Sequence, residues 1–203
     1  MIPYISALLI GYILGCSSMA FYIAKINKVD IRGGGSGNLG ASNAMVLMGW
    51  GAGVLTALHD IGKSFLAVFI VRRLFPDMPY IDLVAGVAAV MGHIFPFYLR
   101  FKGGKGLAAF WGLSLAVNWK FALAMALGIV VITLITDYIF IGTIAAALAF
   151  PVYLAVTQGW TAAAIVFAAS VVIICRHKDN FIRLKNGTEI GFRKANSGKM
   201  RAK

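Results

Sequence analysis

The stretch Leu107–Thr136, LAAFWGLSLAVNWKFALAMALGIVVITLIT, decides the fold. Lys120 is its one charge. A helix that crosses a bilayer needs about 20 apolar residues, fewer where short helices pair or the bilayer thins. The stretch therefore reads as one long helix or as two, Leu107–Val117 and Phe121–Thr136. Which of the two holds fixes the number of crossings and the side on which everything after it lies.

The rest of the chain supplies the answer. Its 203 residues are 60% hydrophobic and 13% charged, with a mean hydropathy of +0.84. That composition belongs to a membrane protein. Further apolar runs cover Pro3–Ala24, Ala44–Val71, Tyr80–Leu99, Ile139–Val156 and Thr161–Cys175. With Leu107–Thr136 divided, there are seven spans. Lys25, Lys28, Arg32, Arg100, Lys102, Lys105 and the nine Lys and Arg from Arg176 onward then share one side, fifteen of the nineteen cations. Joining the two halves would move the tail cations across and abolish the bias. The positive-inside rule thus favours an all-α integral membrane fold of seven transmembrane helices, N-terminus out and C-terminus cytoplasmic. The chain reads as one polytopic domain over residues 1–203, with a basic cytoplasmic tail from about Leu184 whose last dozen residues read as disordered or surface-bound.

The net charge of +12 sits at the ends of apolar runs, as for a protein seated among anionic lipids. A nucleic-acid partner would call for a continuous basic face, so none is expected. Cys16 and Cys175 lie in apolar runs without metal-ligand spacing and read as inert thiols. The first run lacks a basic n-region and reads as a mature span.

Three polar islands interrupt the apolar chain: Gly33–Asn43, Gly92–Gly106 and Arg176–Glu189. On the seven-span reading all three face the cytoplasm and can serve one site. In the first, Gly35, Gly37 and Gly40 surround Ser36 and Asn38 ahead of a helical run with Asn43. Successive backbone N–H groups in such a loop bind phosphate, helped by the helix N-terminus. The plainer alternative is a flexible loop with Ser42 or Asn43 as N-cap. In the second, Lys102 and Lys105 flank Gly103 and Gly104. This segment is not a nucleotide P-loop, because Leu99 occupies the first glycine position and Gly106 the hydroxyl position. An ammonium beside bare backbone still suits phosphate; the alternative is lysines snorkelling to headgroups. His93 orders a loop or a ligand, or is a satisfied interfacial histidine. In the third, His177, Asn180 and Arg183 share a face if the last span continues helically past Arg176, lining a polar pocket or simply a solvated juxtamembrane helix, and Thr188 and Glu189 close a turn against the other loops after Gly187. Asp60 and Lys63, i and i+3 within a span, read as a structural ion pair. Asp137 reads as a solvated loop residue. The chain shows no metal-ligand cluster and no Ser-His-Asp order, and neither metal nor cofactor is expected.

Taken together, the islands resemble the motifs of the PlsY-type bacterial glycerol-3-phosphate acyltransferases. Gly35-Ser36-Gly37-Asn38 with Gly40-Ala41-Ser42-Asn43 is similar to the first motif. Gly92-His93, Pro96 and Phe101–Gly106 are similar to the second, and Arg176-His177, Asn180, Arg183-Leu184 and Gly187–Glu189 to the third. Asp60 and Lys63 fit the family's Asp-x-x-Lys. The chain differs at Val46, where the family usually has arginine, at Ser42 for Thr, at Cys16 and Ser18 for Ser and Pro, and at Ala109 for Thr. Val46 removes a charge-assisted contact to phosphate.

The resemblance implies a monomer in the bacterial inner membrane, with its active site facing the cytoplasm. It implies acyl transfer from acyl-phosphate to the sn-1 hydroxyl of glycerol 3-phosphate, giving lysophosphatidate and phosphate. Expected phosphate ligands are Gly35, Ser36, Gly37, Asn38, Gly40, Asn43, Gly103, Gly104 and Lys105. His177 and Asn180 act in catalysis with Lys105 and Ser36; His93, Lys102, Arg183, Thr188 and Glu189 support them. The open alternatives are an acyltransferase for another phosphorylated polyol, and a non-catalytic binding or transport protein for phosphorylated metabolites.

Overall fold

The structure, a computed structural model, describes residues 1–193. The reading of a surface-bound tail falls largely outside the described residues. In chain order the helices are α1 (Ile2–Cys16), α2 (Met19–Ile26), α3 (Ala41–Met48), α4 (Trp50–Leu74), α5 (Ile81–Ile94), α6 (Leu107–Val117), α7 (Trp119–Thr136), α8 (Ile139–Thr157), α9 (Trp160–Arg176) and α10 (Lys178–Lys185). Among the described residues six helical runs are long and apolar enough to cross a membrane: Ile2–Ile26, Trp50–Leu74, Ile81–Leu99, Trp119–Thr136, Ile139–Thr157 and Trp160–Lys185. α6 is apolar but shorter.

The breaks have local causes. Leu107–Thr136 is two helices, divided where Asn118 takes an extended conformation and its side-chain oxygen accepts the Phe121 amide at 3.0 Å. That N-cap satisfies a donor that α7 cannot. Its amide nitrogen donates to the Tyr153 hydroxyl at 2.8 Å. Ser18 caps α2 similarly, accepting from the Phe21 amide at 3.4 Å. The expected single span Ala44–Val71 is instead α3 and α4, separated at Gly49 with φ of 90°. A side chain is strained at that angle, so glycine sets the break.

By contacts the chain divides into two compact units, Met1–Val117 and Asn118–Lys203. In the first, α1 lies along α5 with its backbone close. A Cβ on Gly11 would strike the carbonyl of Ala85, and one on Gly15 that of Ala89. Small residues permit this approach, and van der Waals contact over the interface rewards it. At one end of this unit the Tyr4 hydroxyl donates to the Pro79 carbonyl at 3.0 Å. Arg72 there pairs with Asp82 at 2.6 Å and donates to the Ala116 carbonyl, near the end of α6. The first two polar islands occupy the other end. A buried cluster of Ala20, Ala24, Ile31, Leu39, Ala44 and Leu99 joins them beneath their loops.

In the second unit α8 packs against both α7 and α9, with Phe121 stacked on Tyr153 at 4.1 Å. The turn between α7 and α8 is not a free loop. Asp137, at φ of 70°, accepts the Phe192 amide on its carbonyl at 2.7 Å and the Arg193 amide on Oδ1 at 2.9 Å. Asp137 is a partly exposed loop residue, its side chain 32% exposed, that also holds the returning chain.

The α1–α5 contact generates a stability prediction. Gly15→Val loses about 1–3 kcal/mol through overpacking, whereas Gly62→Ala on α4, with open space around it, is neutral or mildly stabilising. Thermal unfolding of the detergent-solubilised variants checks the contrast; equal midpoints would refute the close packing.

Candidate active site

The first island is a loop held by its own asparagine. Asn43, on the first turn of α3, is buried at 2% exposure. Its side-chain nitrogen donates to the carbonyls of Ile31 (2.9 Å) and Gly34 (3.3 Å), and its oxygen accepts the Ser36 amide (2.9 Å). All of this chemistry points into the loop, so Asn43 organises the island rather than facing a ligand. The N-cap of α3 is Gly40, not Ser42 or Asn43. Gly35 and Gly37 take φ of 57° and 66°, a region in which a side chain is strained. The Gly37 amide donates to the Gly34 carbonyl at 3.0 Å. Ser36 is exposed, and Asn38 is half-buried beside Gly40.

The second island folds back on the end of α5. The Gly103 amide donates to the Ile94 carbonyl at 3.0 Å and the Gly104 amide to the His93 carbonyl at 3.1 Å. A Cβ on Gly103 would strike the His93 carbonyl, and one on Gly104 the His93 ring. The two glycines are thus required for close packing, and their N–H groups are committed to protein carbonyls. The phosphate-ligand expectation for these two amides is corrected on that ground. The loop they shape presents Lys105, partly exposed, two residues before α6 begins. Lys102 is exposed.

Arg32 ties the two islands together. Its Nη2 donates to the carbonyls of Leu99 (2.9 Å) and Lys102 (2.8 Å), while Asp30 Oδ1 accepts its amide at 3.0 Å. Sequence alone counts Arg32 only as one more cation; nothing local marks it as a strut. Val46 is half-buried on α3.

Beneath these loops lies a buried polar group. Lys63 Nζ is 2.8 Å from Asp60 Oδ1, 2.7 Å from the Ser17 carbonyl and 2.9 Å from His93 Nδ1. The expected Asp60–Lys63 pair is present and larger than expected, because α1 and α5 each contribute an acceptor. The Ser17 carbonyl lies just past the end of α1, where the helix leaves carbonyls without intrahelical partners.

The third island lies in the second unit. His177 sits between α9 and α10 at φ −96°, ψ 6°, and its carbonyl accepts the Asn180 amide at 2.9 Å. The chain therefore continues near helical register, as the shared-face expectation requires. His177 is buried, and its Nδ1 lies 2.8 Å from the Ile173 carbonyl. A carbonyl only accepts, so Nδ1 carries the proton and in the neutral ring Nε2 carries the lone pair. The Glu189 carboxylate takes Asn180 Nδ2 on one oxygen and Arg183 Nε on the other, both at 2.6 Å. Gly187, at φ of 68°, turns the chain back. The Thr188 and Glu189 amides and the Thr188 hydroxyl then all donate to the Arg183 carbonyl. The turn of Thr188 and Glu189 therefore closes on the Arg183 carbonyl of their own helix, where the sequence suggests one against the other loops. Among the described residues no group of three or more His, Cys, Asp or Glu side chains could hold a metal ion.

Comparison with known proteins matches this arrangement to a family. Residues 5–187 match the family described as glycerol-3-phosphate acyltransferase. The chain is 38% identical over 191 residues to the glycerol-3-phosphate acyltransferase of Thermosipho melanesiensis, covering 92% of this chain and 91% of that one. It is 37% identical to that of Geobacter sulfurreducens, covering 91% and 95%. The crystal structure of PlsY, an integral membrane glycerol 3-phosphate acyltransferase, in its glycerol 3-phosphate form superposes with a TM-score of 0.87 at 32% identity, covering 93% of this chain and 95% of that one. Its lysophosphatidic acid form gives 0.84 at 31% identity, covering 95% and 97%. With the family match running from ahead of the first island into the third, the chain belongs to the glycerol-3-phosphate acyltransferase family.

Proposed function

We propose that this membrane protein transfers a fatty acyl group from acyl-phosphate to the sn-1 hydroxyl of glycerol 3-phosphate. The hydroxyl oxygen attacks the acyl carbon, the acyl–phosphate bond breaks, and lysophosphatidate and inorganic phosphate leave. One observation carries the reading. A glycine loop and a lysine loop are bound side by side through Arg32, at one end of an apolar helical unit. Both reactants carry phosphate and one carries a fatty chain, so a phosphate-binding end on a lipid-embedded body suits them.

Roles follow from the chemistry of each group. In the first island the Ser36 and Gly37 amides hold the loop, and Ser36 Oγ with the remaining Gly35–Gly40 amides binds phosphate. Lys105 supplies the point charge. Acyl-phosphate is already activated, so positioning and charge stabilisation supply most of the rate without a covalent enzyme intermediate. His177, with its lone pair on Nε2, takes the hydroxyl proton, and Asn180 orients the reactants. Glu189 is the clamp that sets Asn180 and Arg183. The competing route, in which a substrate phosphate takes that proton, predicts a different mutant pattern.

The proposed setting is a monomer in the bacterial inner membrane that works as one domain. It crosses seven times, α6 being the short fourth span, with its N-terminus outside and its islands in the cytoplasm. The cation bias across the loops supports this arrangement. Val46 favours one second reading, a different phosphorylated polyol as acceptor, because the valine offers a phosphate no charge. Comparing glycerol 3-phosphate with other polyol phosphates at equal concentration separates the two.

Lys105→Ala is expected to lower kcat/KM for glycerol 3-phosphate roughly 10–100-fold, the worth of one charge-assisted hydrogen bond. Normal steady-state kinetics in that variant would refute the phosphate assignment. His177→Phe and His177→Gln are each expected to lower kcat roughly 10²–10⁴-fold; full turnover in both would give the proton to a substrate phosphate. Uptake of labelled glycerol 3-phosphate into sealed proteoliposomes without acyl donor would instead indicate a carrier.

A further inference from the structure

Four polar groups contributed by three helices meet inside the first unit, within otherwise apolar packing. Asp60 and Lys63 come from α4, His93 from α5 and the Ser17 carbonyl from the end of α1. The Asp60, Lys63 and His93 side chains are all buried, at 2%, 6% and 6% exposure. An ammonium has three N–H donors and no acceptor. Lys63 Nζ faces three partners within 2.9 Å: Asp60 Oδ1, the Ser17 carbonyl and His93 Nδ1.

Proton positions follow from charge. Buried Asp60 requires a cation beside it, and Lys63 is the nearest. An imidazolium 2.9 Å from that ammonium would face strong like-charge repulsion in a low-dielectric interior. His93 is therefore neutral, its Nδ1 accepts from Lys63, and its ring proton sits on Nε2. His93 Nδ1 also lies 3.4 Å from Asp60 Oδ1, longer than its 2.9 Å to Lys63 Nζ. His59 approaches the same Asp60 oxygen from 3.5 Å, while its Nε2 lies 3.0 Å from Ser17 Oγ. It flanks the group without displacing Lys63.

The Nε2 side of His93 lies against the second island, since a Cβ on Gly104 would fall on that nitrogen. The His93 carbonyl holds the Gly104 amide as well. Ring and backbone of one residue thus support the loop residue before Lys105. We infer that Lys63, held by Asp60 and the Ser17 carbonyl, is a positioning residue that holds the His93 ring by Nδ1, and so sets the surface that Gly104 packs against and the Gly103–Lys105 loop for phosphate binding. This deepens the proposed function and rests on its assignment of Lys105 to phosphate. It also changes the reading of the ion pair, which acts on the site through His93.

The test uses full-length protein labelled with ¹⁵N-histidine in detergent micelles, with the His93 signals assigned by their loss in His93→Gln. The expected spectrum shows His93 with an unprotonated Nδ1 and a protonated Nε2. Lys63→Met alone would strand the Asp60 carboxylate, so the comparison variant is Asp60→Asn/Lys63→Met, which removes both charges together. That variant is expected to show mixed His93 tautomers. A protonated Nδ1 in the wild type, or an unchanged tautomer in the double variant, overturns the inference.

A kinetic arm reads the consequence. His93→Gln keeps side-chain atoms against Gly104 near the Nε2 position and is expected to keep KM for glycerol 3-phosphate within about threefold. His93→Asn reaches only the Nδ1 position and is expected to raise KM about tenfold or more, with kcat changed less. Equal KM values in the two variants overturn the inference. Absence of acylation by the wild type would instead reject the proposed function, and the tautomer would still be decided by the spectrum.

Discussion

A charge buried among lipid-facing helices persists only where neighbouring groups satisfy it, and Lys63 is that charge in the first unit. Its three acceptors come from three different helical segments. Each contact limits how α1, α4 and α5 slide or rotate against one another, because a displaced helix would leave an ammonium donor unmatched in an apolar interior. The glycine contacts make the meeting possible. Gly11 and Gly15 let α1 lie close enough to α5 for the Ser17 carbonyl to reach Lys63. Packing and electrostatics therefore specify the same register.

Above that level, much of the polar chemistry in the islands holds other parts of the protein in place. Asn43 gathers the first loop, Arg32 binds it to the second, and Glu189 clamps the third. Preorganisation of this kind is what electrostatic catalysis requires, since a donor already aimed at developing charge needs no reorientation during reaction. Glycines serve in two ways. Gly35 and Gly37 permit backbone angles that other residues resist, whereas Gly103 and Gly104 make room for His93.

The helical, membrane-embedded character was legible because hydropathy and cation placement both record the bilayer. The break at Asn118 could be read from charge bias and has a capping side chain as its local cause. The break at Gly49 was missed because it lies inside an apolar run with several glycines and no polar flag. The islands stood out in the sequence by residue type, yet the division of labour within them did not. Whether an amide faces a ligand or a carbonyl depends on chain segments far apart in sequence, as for Gly104 and His93. The Ser17 carbonyl and the Asp137 anchor were invisible for a related reason: backbone acceptors have no residue-type signature.

The measurement that tests the central claim most directly uses purified protein in detergent with labelled glycerol 3-phosphate. Palmitoyl-phosphate and palmitoyl-CoA are supplied in parallel, and the lipid product is separated. The account predicts lysophosphatidate with palmitoyl-phosphate and none with palmitoyl-CoA, together with one inorganic phosphate released per acyl group transferred. Product formed from palmitoyl-CoA, or no lipid product beside an active control enzyme in the same detergent, would contradict it.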